Sequence, residues 1–163
     1  MVSTVTIARF SGAMLSALST GVLFGTRTAV SPSVNSFAPK TYVEVQQATV
    51  RNLRPVMGTL LPGALLTNLA VLASSARERR SPGFTLTVSG SVATLAALVL
   101  TGVFELPINA RVLTWSPDDP PPGWQSLLDR WQRIHTVRTA VSVVGLGCLI
   151  AAPLVQRAPS DAR

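Results

Sequence analysis

Residues 84–108 read FTLTVSGSVATLAALVLTGVFELPI, and the one charged side chain in the run, Glu105, comes near its end. A helix that crosses a bilayer needs about 20 largely apolar residues, because the hydrocarbon core is about 30 Å thick and the helix rises about 1.5 Å per residue. This run is long enough. Three others resemble it: about 5–30, with Arg9 near its start, about 53–75 and about 134–155. Composition agrees, with 47% apolar and 13% charged residues and a mean hydropathy of +0.40, whereas an ordinary soluble domain carries roughly 25% charged residues. The expected fold is all-α: a four-transmembrane-helix bundle with an amphipathic extension before helix four. It forms a single domain over 1–157, followed by a short polar tail at 158–163.

The first apolar stretch reads as a span rather than a signal peptide. It exceeds the roughly 7–15 apolar residues of a signal core and lacks a strongly basic start. The net charge of +7 would suggest nucleic acid in a soluble protein, but the arginines are scattered over loops and helix ends, so no nucleic-acid partner is expected. Arg77, Arg79 and Arg80 crowd the loop between the second and third spans. The positive-inside rule makes that loop cytoplasmic. Both termini then face the cytoplasm, consistent with Arg157 and Arg163, and the expected location is the plasma (inner) membrane.

Polar residues punctuate the ends of the spans. From Thr41 to Leu53 the sequence is helical in pattern, so helix two is expected to start outside the bilayer near Thr41. Glu44, Gln47 and Arg51 share a face there by the i, i+3, i+7 rule. Pro55 and Pro62 are expected to perturb this helix as it enters the slab. Helix three ends with Glu105 and Asn109, four apart, with Pro107 between them. Ser116–Gly123 is a turn-rich linker in which Asp118 and Asp119 can cap backbone donors. Beyond it Trp124, Leu128, Trp131, His135, Arg138 and Ser142 follow one helix face. The start of helix two, the end of helix three and the start of helix four lie on one side, so these polar sets are expected at one mouth of the bundle.

His135 is the only histidine. Ordinary imidazole titrates near about pH 6.5, which suits it to proton transfer; a ligand role and a structural interfacial role are the alternatives. Ionisable groups at this depth are costly and usually paired. Arg138 can pair with Glu105 or Glu44, or bind an oxyanion. Glu105 is a second candidate base, since burial favours the neutral carboxyl. Asn109 can orient a carbonyl or cap helix three. Trp124 and Trp131 read as an interfacial aromatic belt or as a wall for a flat ligand.

Phosphate-loop, GxSxG, HExxH and dinucleotide signatures are absent. The single Cys148 reads as a small buried apolar residue and excludes an intrachain disulfide. His135 with Glu44 and Glu105 could supply a three-ligand iron site, but the Glu-x-x-His pairs of helical diiron proteins are missing. No cofactor is expected; a single iron or copper ion is the alternative. Gly21 and Gly25 form a GxxxG that allows close helix approach and offers a face for a homo-oligomer.

The motifs resemble the DUF1772 family of small four-helix membrane proteins, which includes anthrone oxygenase-like members. The match is carried by Leu106-Pro107-Ile108-Asn109-Ala110-Arg111-Val112-Leu113, the Pro-rich linker and Trp131-Gln132-Arg133-Ile134-His135-Thr136-Val137-Arg138-Thr139, with a weaker match around Gln47, Arg54 and Pro55. The resemblance implies oxidation of a lipophilic polycyclic aromatic of the anthrone type, with dioxygen as co-substrate and base-assisted proton abstraction. It implies His135 as base, Arg138 and Asn109 as oxyanion partners, and Glu105 as orienting or proton-relay group. Trp131, Trp124, Gln47 and Glu44 would bind substrate. The competing reading is a non-enzymatic membrane component: a ligand binder, transport accessory or assembly subunit.

Overall fold

Four long helices account for most of residues 4–156, which are the residues the computed structural model describes. They are α1 (Thr4–Val34), α2 (Pro39–Ser74), α3 (Pro82–Val112) and α4 (Trp124–Gln156). Each is long and apolar enough to cross a membrane, and the protein is an integral membrane protein. The expected tail at 158–163, with Arg157 before it, lies outside the described residues. Helix termini follow local chemistry. Pro39 opens α2 and Pro82 opens α3, where a missing N–H costs nothing, and Ser81 caps α3 by accepting from the Phe84 N–H.

Neighbours in sequence are neighbours in space. α3 packs most extensively on α4 and α1 on α2, while the α1–α4 and α2–α3 seams are lighter. Close approach within the bundle does not use the GxxxG: a Cβ on Gly21 or Gly25 would meet nothing of this chain within 4 Å. The tight contact is at Gly90 on α3, whose Cβ would lie 2.5 Å from Leu149 Cγ, and at Gly145 on α4, whose Cβ would lie 2.6 Å from Ala93 Cβ. Neither neighbour can retreat without moving a helix, so Gly145→Ala should cost about 1–3 kcal/mol by overpacking. A lowered thermal midpoint in detergent for Gly145→Ala, beside an unchanged Gly21→Ala, would show it.

Two prolines leave a shared signature. Pro32 and Pro107 each follow a widened π-type turn, Thr26–Val30 in α1 and Thr101–Glu105 in α3. A proline within a helix lacks its N–H and its ring collides with the carbonyl four residues earlier. The inserted residue shifts the ladder, so the Ser31 N–H bonds the Thr26 carbonyl and the Leu106 N–H bonds the Thr101 carbonyl. The helix therefore continues through Pro107. α2 likewise runs unbroken through Pro55 and Pro62, which the sequence pattern led us to expect as perturbations.

The linker between α3 and α4 is fastened to α2. Gln47 donates from Nε2 to the Val112 and Trp115 carbonyls at 2.9 and 3.0 Å. Asp118, expected as a backbone cap, instead accepts from Lys40 Nζ at 2.6 Å. Gly123 has φ +79°, a left-handed turn that suits glycine, and α4 follows directly from Trp124. The expected amphipathic extension and the fourth span are thus one helix.

Candidate active site at the α3–α4 seam

The predicted face of α4 turns inward. Leu128, Trp131, His135, Arg138 and Ser142 are all buried, and Trp124 is half-buried. Across from them the widened turn of α3 presents Thr101 and Glu105. Arg138 Nη1 donates to Glu105 Oε2 at 2.7 Å and to Thr101 Oγ1 at 2.7 Å. Arg138 Nη2 donates to His135 Nδ1 at 3.1 Å. Glu105, His135 and Arg138 are 2%, 1% and 5% exposed, so this is a buried, ion-paired cluster in an apolar slab. Such charges persist only where each has a partner.

The hydrogen bonds fix the imidazole tautomer. His135 Nε2 lies 3.2 Å from the Leu23 carbonyl oxygen, which can only accept, so Nε2 carries the proton. Nδ1 is then the lone-pair nitrogen that accepts from Arg138. Trp131 stacks on the ring, with centroids 4.8 Å apart and planes within 7°. Thr139 Oγ1 donates to the His135 carbonyl at 2.7 Å. His135 is held on every side.

Glu105 is held on one side only. Its Oε2 is bonded to Arg138, whereas Oε1 is buried without a hydrogen-bond partner, 3.5 Å from His135 Nδ1. That oxygen, Asn109 Oδ1 and the Trp131 Nε1–H are buried polar atoms with no partner among the described residues. All three belong to residues lining one cavity of about 310 Å³. Its other walls are apolar, mainly Val22 and Leu23 of α1, Val50, Leu53, Met57 and Leu61 of α2, and Leu98 and Leu106 of α3. Thr26, Thr49 and Arg54 line it as well, and the result is a largely apolar chamber with a few polar groups, the usual plan of a small-molecule site.

Five predicted residues therefore meet at one cavity: His135, Arg138, Glu105, Asn109 and Trp131. Three do not line it. Glu44 is exposed on α2. Gln47 is buried but spends its amide on the linker carbonyls. Trp124 packs edge-on against Tyr42, centroids 5.5 Å apart. Trp131 lines the cavity, but its ring lies against His135, so one face is already occupied. No group of three or more His, Cys, Asp or Glu side chains able to hold a metal occurs among the described residues.

Sequence reasoning passed over Thr101, which anchors Arg138, and the Leu23 carbonyl, which sets the tautomer. Thr101 precedes Glu105 by four residues, and that spacing was a usable signal for a shared face. A backbone carbonyl on another helix leaves no signal in the side-chain pattern.

No curated protein and no solved structure matches this chain. A family model for anthrone oxygenase matches residues 52–148. That segment carries Thr101, Glu105, Asn109, Trp131, His135 and Arg138, and most of the α2 wall of the cavity. Since the match covers more than half of the 163 residues, the chain belongs to the anthrone oxygenase family.

Proposed function

We propose that the protein oxidises the CH₂ of a flat, bilayer-soluble aromatic ketone of the anthrone class to a carbonyl, using dioxygen. One observation carries this reading: Glu105 lines a largely apolar cavity, and its buried carboxylate oxygen Oε1 has no hydrogen-bond partner. A CH₂ between two aryl rings and opposite a carbonyl is acidic because its anion is a delocalised aromatic alkoxide. A lone pair free to take that proton belongs to Glu105 Oε1. The His135 lone pair is already engaged by Arg138, so His135 acts behind Glu105 as a positioning residue, holding through Nδ1 the guanidinium that orients the carboxylate. The Trp131 Nε1–H, a buried donor without a partner on a residue that lines the cavity, would hydrogen-bond the anion's oxygen, the usual means of stabilising developing charge; the unpartnered atom of Asn109 is the acceptor Oδ1, suited to receiving a hydroxyl rather than holding an anion. Arg138 holds Glu105 in orientation through Oε2.

The chemistry then balances without an outside reductant. The carbanion carbon forms a bond to dioxygen, and the peroxide anion takes up the abstracted proton. Loss of the second C–H proton breaks the O–O bond, leaving the carbonyl on carbon and releasing water. All electrons that reduce dioxygen come from the substrate carbon. The protein supplies proton transfer, anion stabilisation and a dry chamber.

The basic loop containing Arg77, Arg79 and Arg80 is exposed. The positive-inside rule places it in the cytoplasm, with both termini on that side and the cavity in the outer half of the plasma (inner) membrane. Purified protein in nanodiscs, given anthrone, should consume oxygen and form quinone in equimolar amounts. Binding of anthrone with no oxygen uptake would overturn the oxygenase reading and leave a membrane ligand-binding protein.

A further inference from the structure

We propose that the cavity opens sideways into the bilayer between α2 and α3, and that substrate dissolved in lipid enters there. The substrate class rests on the function proposed above; the opening rests on geometry alone. Most cavity-lining residues are buried or half-buried, but Arg54 and Gly58 of α2 and Gly102 and Leu106 of α3 line the cavity and are exposed. They form two pairs at i, i+4 spacing, one on each side of the lighter α2–α3 seam. A Cβ added at Gly58 or Gly102 would meet nothing within 4 Å. Open space therefore lies where side chains from two facing helices would otherwise close the seam.

The depth suits a lipid-phase route. Gly58 lies five residues beyond Leu53, where the second apolar run begins, and Gly102 six residues before Ile108, where the third ends. At about 1.5 Å per residue, both sit roughly 8–9 Å inside the apolar slab. Arg54, one turn from Gly58, sits closer to the polar boundary, where its stem can lie along apolar surface and its guanidinium can reach water.

The route from the loop end is closed. Val34, Tyr42, Ile108, Val112, Leu128 and Trp131 form a buried cluster over that end of the bundle. Gln47 ties down the Val112 and Trp115 carbonyls above it, and Gln132 Nε2 donates to Tyr42 Oη at 2.7 Å. A water-borne ligand would have to break this cap, whereas a lipid-borne one meets two glycines.

The test uses Trp131, which lines the cavity. With Trp115→Phe and Trp124→Phe it is the sole tryptophan of the chain, which has three. The full chain in phosphatidylcholine nanodiscs is titrated with 1-bromooctane, an apolar contact quencher that partitions into lipid, and separately with acrylamide, which stays in water. The parent should be quenched by 1-bromooctane and scarcely by acrylamide. Adding Gly58→Leu and Gly102→Leu should lower 1-bromooctane quenching by about fivefold or more, as expected when an entry gate is closed. Gly147→Leu, at an exposed glycine with nothing within 4 Å and outside the cavity lining, should leave quenching unchanged. Unchanged quenching in the Gly58→Leu/Gly102→Leu protein, an equal loss with Gly147→Leu, or acrylamide matching 1-bromooctane would each overturn the portal. Anthrone oxidation is followed in the same nanodiscs. A parent that oxidises none while the quenching pattern holds refutes the reaction and supports the portal. A parent that oxidises anthrone, matched by the double leucine variant at limiting substrate, refutes the portal and supports the reaction.

Discussion

Glu105→Gln should lower anthrone oxidation by about 10²–10⁴-fold, the range over which a positioned base contributes. The amide is close in shape to the carboxylate, and its oxygen can still accept from Arg138 Nη1, now 2.7 Å from Oε2. It lacks a basic lone pair in place of Oε1, the oxygen with no partner. The loss should therefore fall on kcat, while anthrone binding, followed by Trp131 fluorescence, changes little. His135→Ala is the companion measurement. It should also slow turnover, and added imidazole should recover part of the rate by occupying the vacated ring site beside Trp131. Full activity in Glu105→Gln, with loss in His135→Ala, would transfer the base to the histidine and refute the assignment made here.

Arg138→Met should give the largest loss of stability, about 3–5 kcal/mol, the usual cost of stripping one partner from a buried ion pair. Methionine preserves much of the apolar stem, but the carboxyl of Glu105, 2% exposed, would be left buried without its partner. Thr101 Oγ1 and His135 Nδ1 would each lose a donor as well. Adding Glu105→Leu to Arg138→Met should recover much of the loss, because the buried polar group goes with its partner; the two changes are coupled rather than additive. Thermal midpoints of the single and double variants in one detergent measure this. An Arg138→Met protein as stable as the parent would mean that the pair does not hold α3 to α4.

The same pair illustrates what the chain's pattern could and could not reveal. That Glu105, His135 and Arg138 would lie at one level followed from where each stands in its apolar run, since helix rise converts residue number into depth. The i, i+3, i+4 spacing likewise put Trp131, His135 and Arg138 on one stripe, and that stripe is the buried one. Glu44 and Gln47 stood at a plausible level too, yet one faces outward and the other serves the linker. Depth is a one-dimensional property of sequence, whereas rotation about the helix axis is set by packing against other helices. The GxxxG at Gly21 and Gly25 makes no close contact within the bundle for that reason: the spacing allows close approach, but on a face that the other three helices leave uncovered.

Taken alone, the sequence determined that this is a membrane-embedded four-helix protein, because a run of apolar residues about 20 long has few other ways to satisfy its backbone. It also determined which ionisable residues must be paired, because an unpaired charge at that depth is expensive. Only the tertiary structure decided who pairs with whom. The widened turn at Thr101–Glu105 aims the carboxylate at Arg138, and the Leu23 carbonyl of a third helix fixes which imidazole nitrogen carries the proton. Those outcomes depend on the relative rotation and distance of separate helices, set by side-chain packing at seams such as Gly90 against Leu149, and no single segment encodes them.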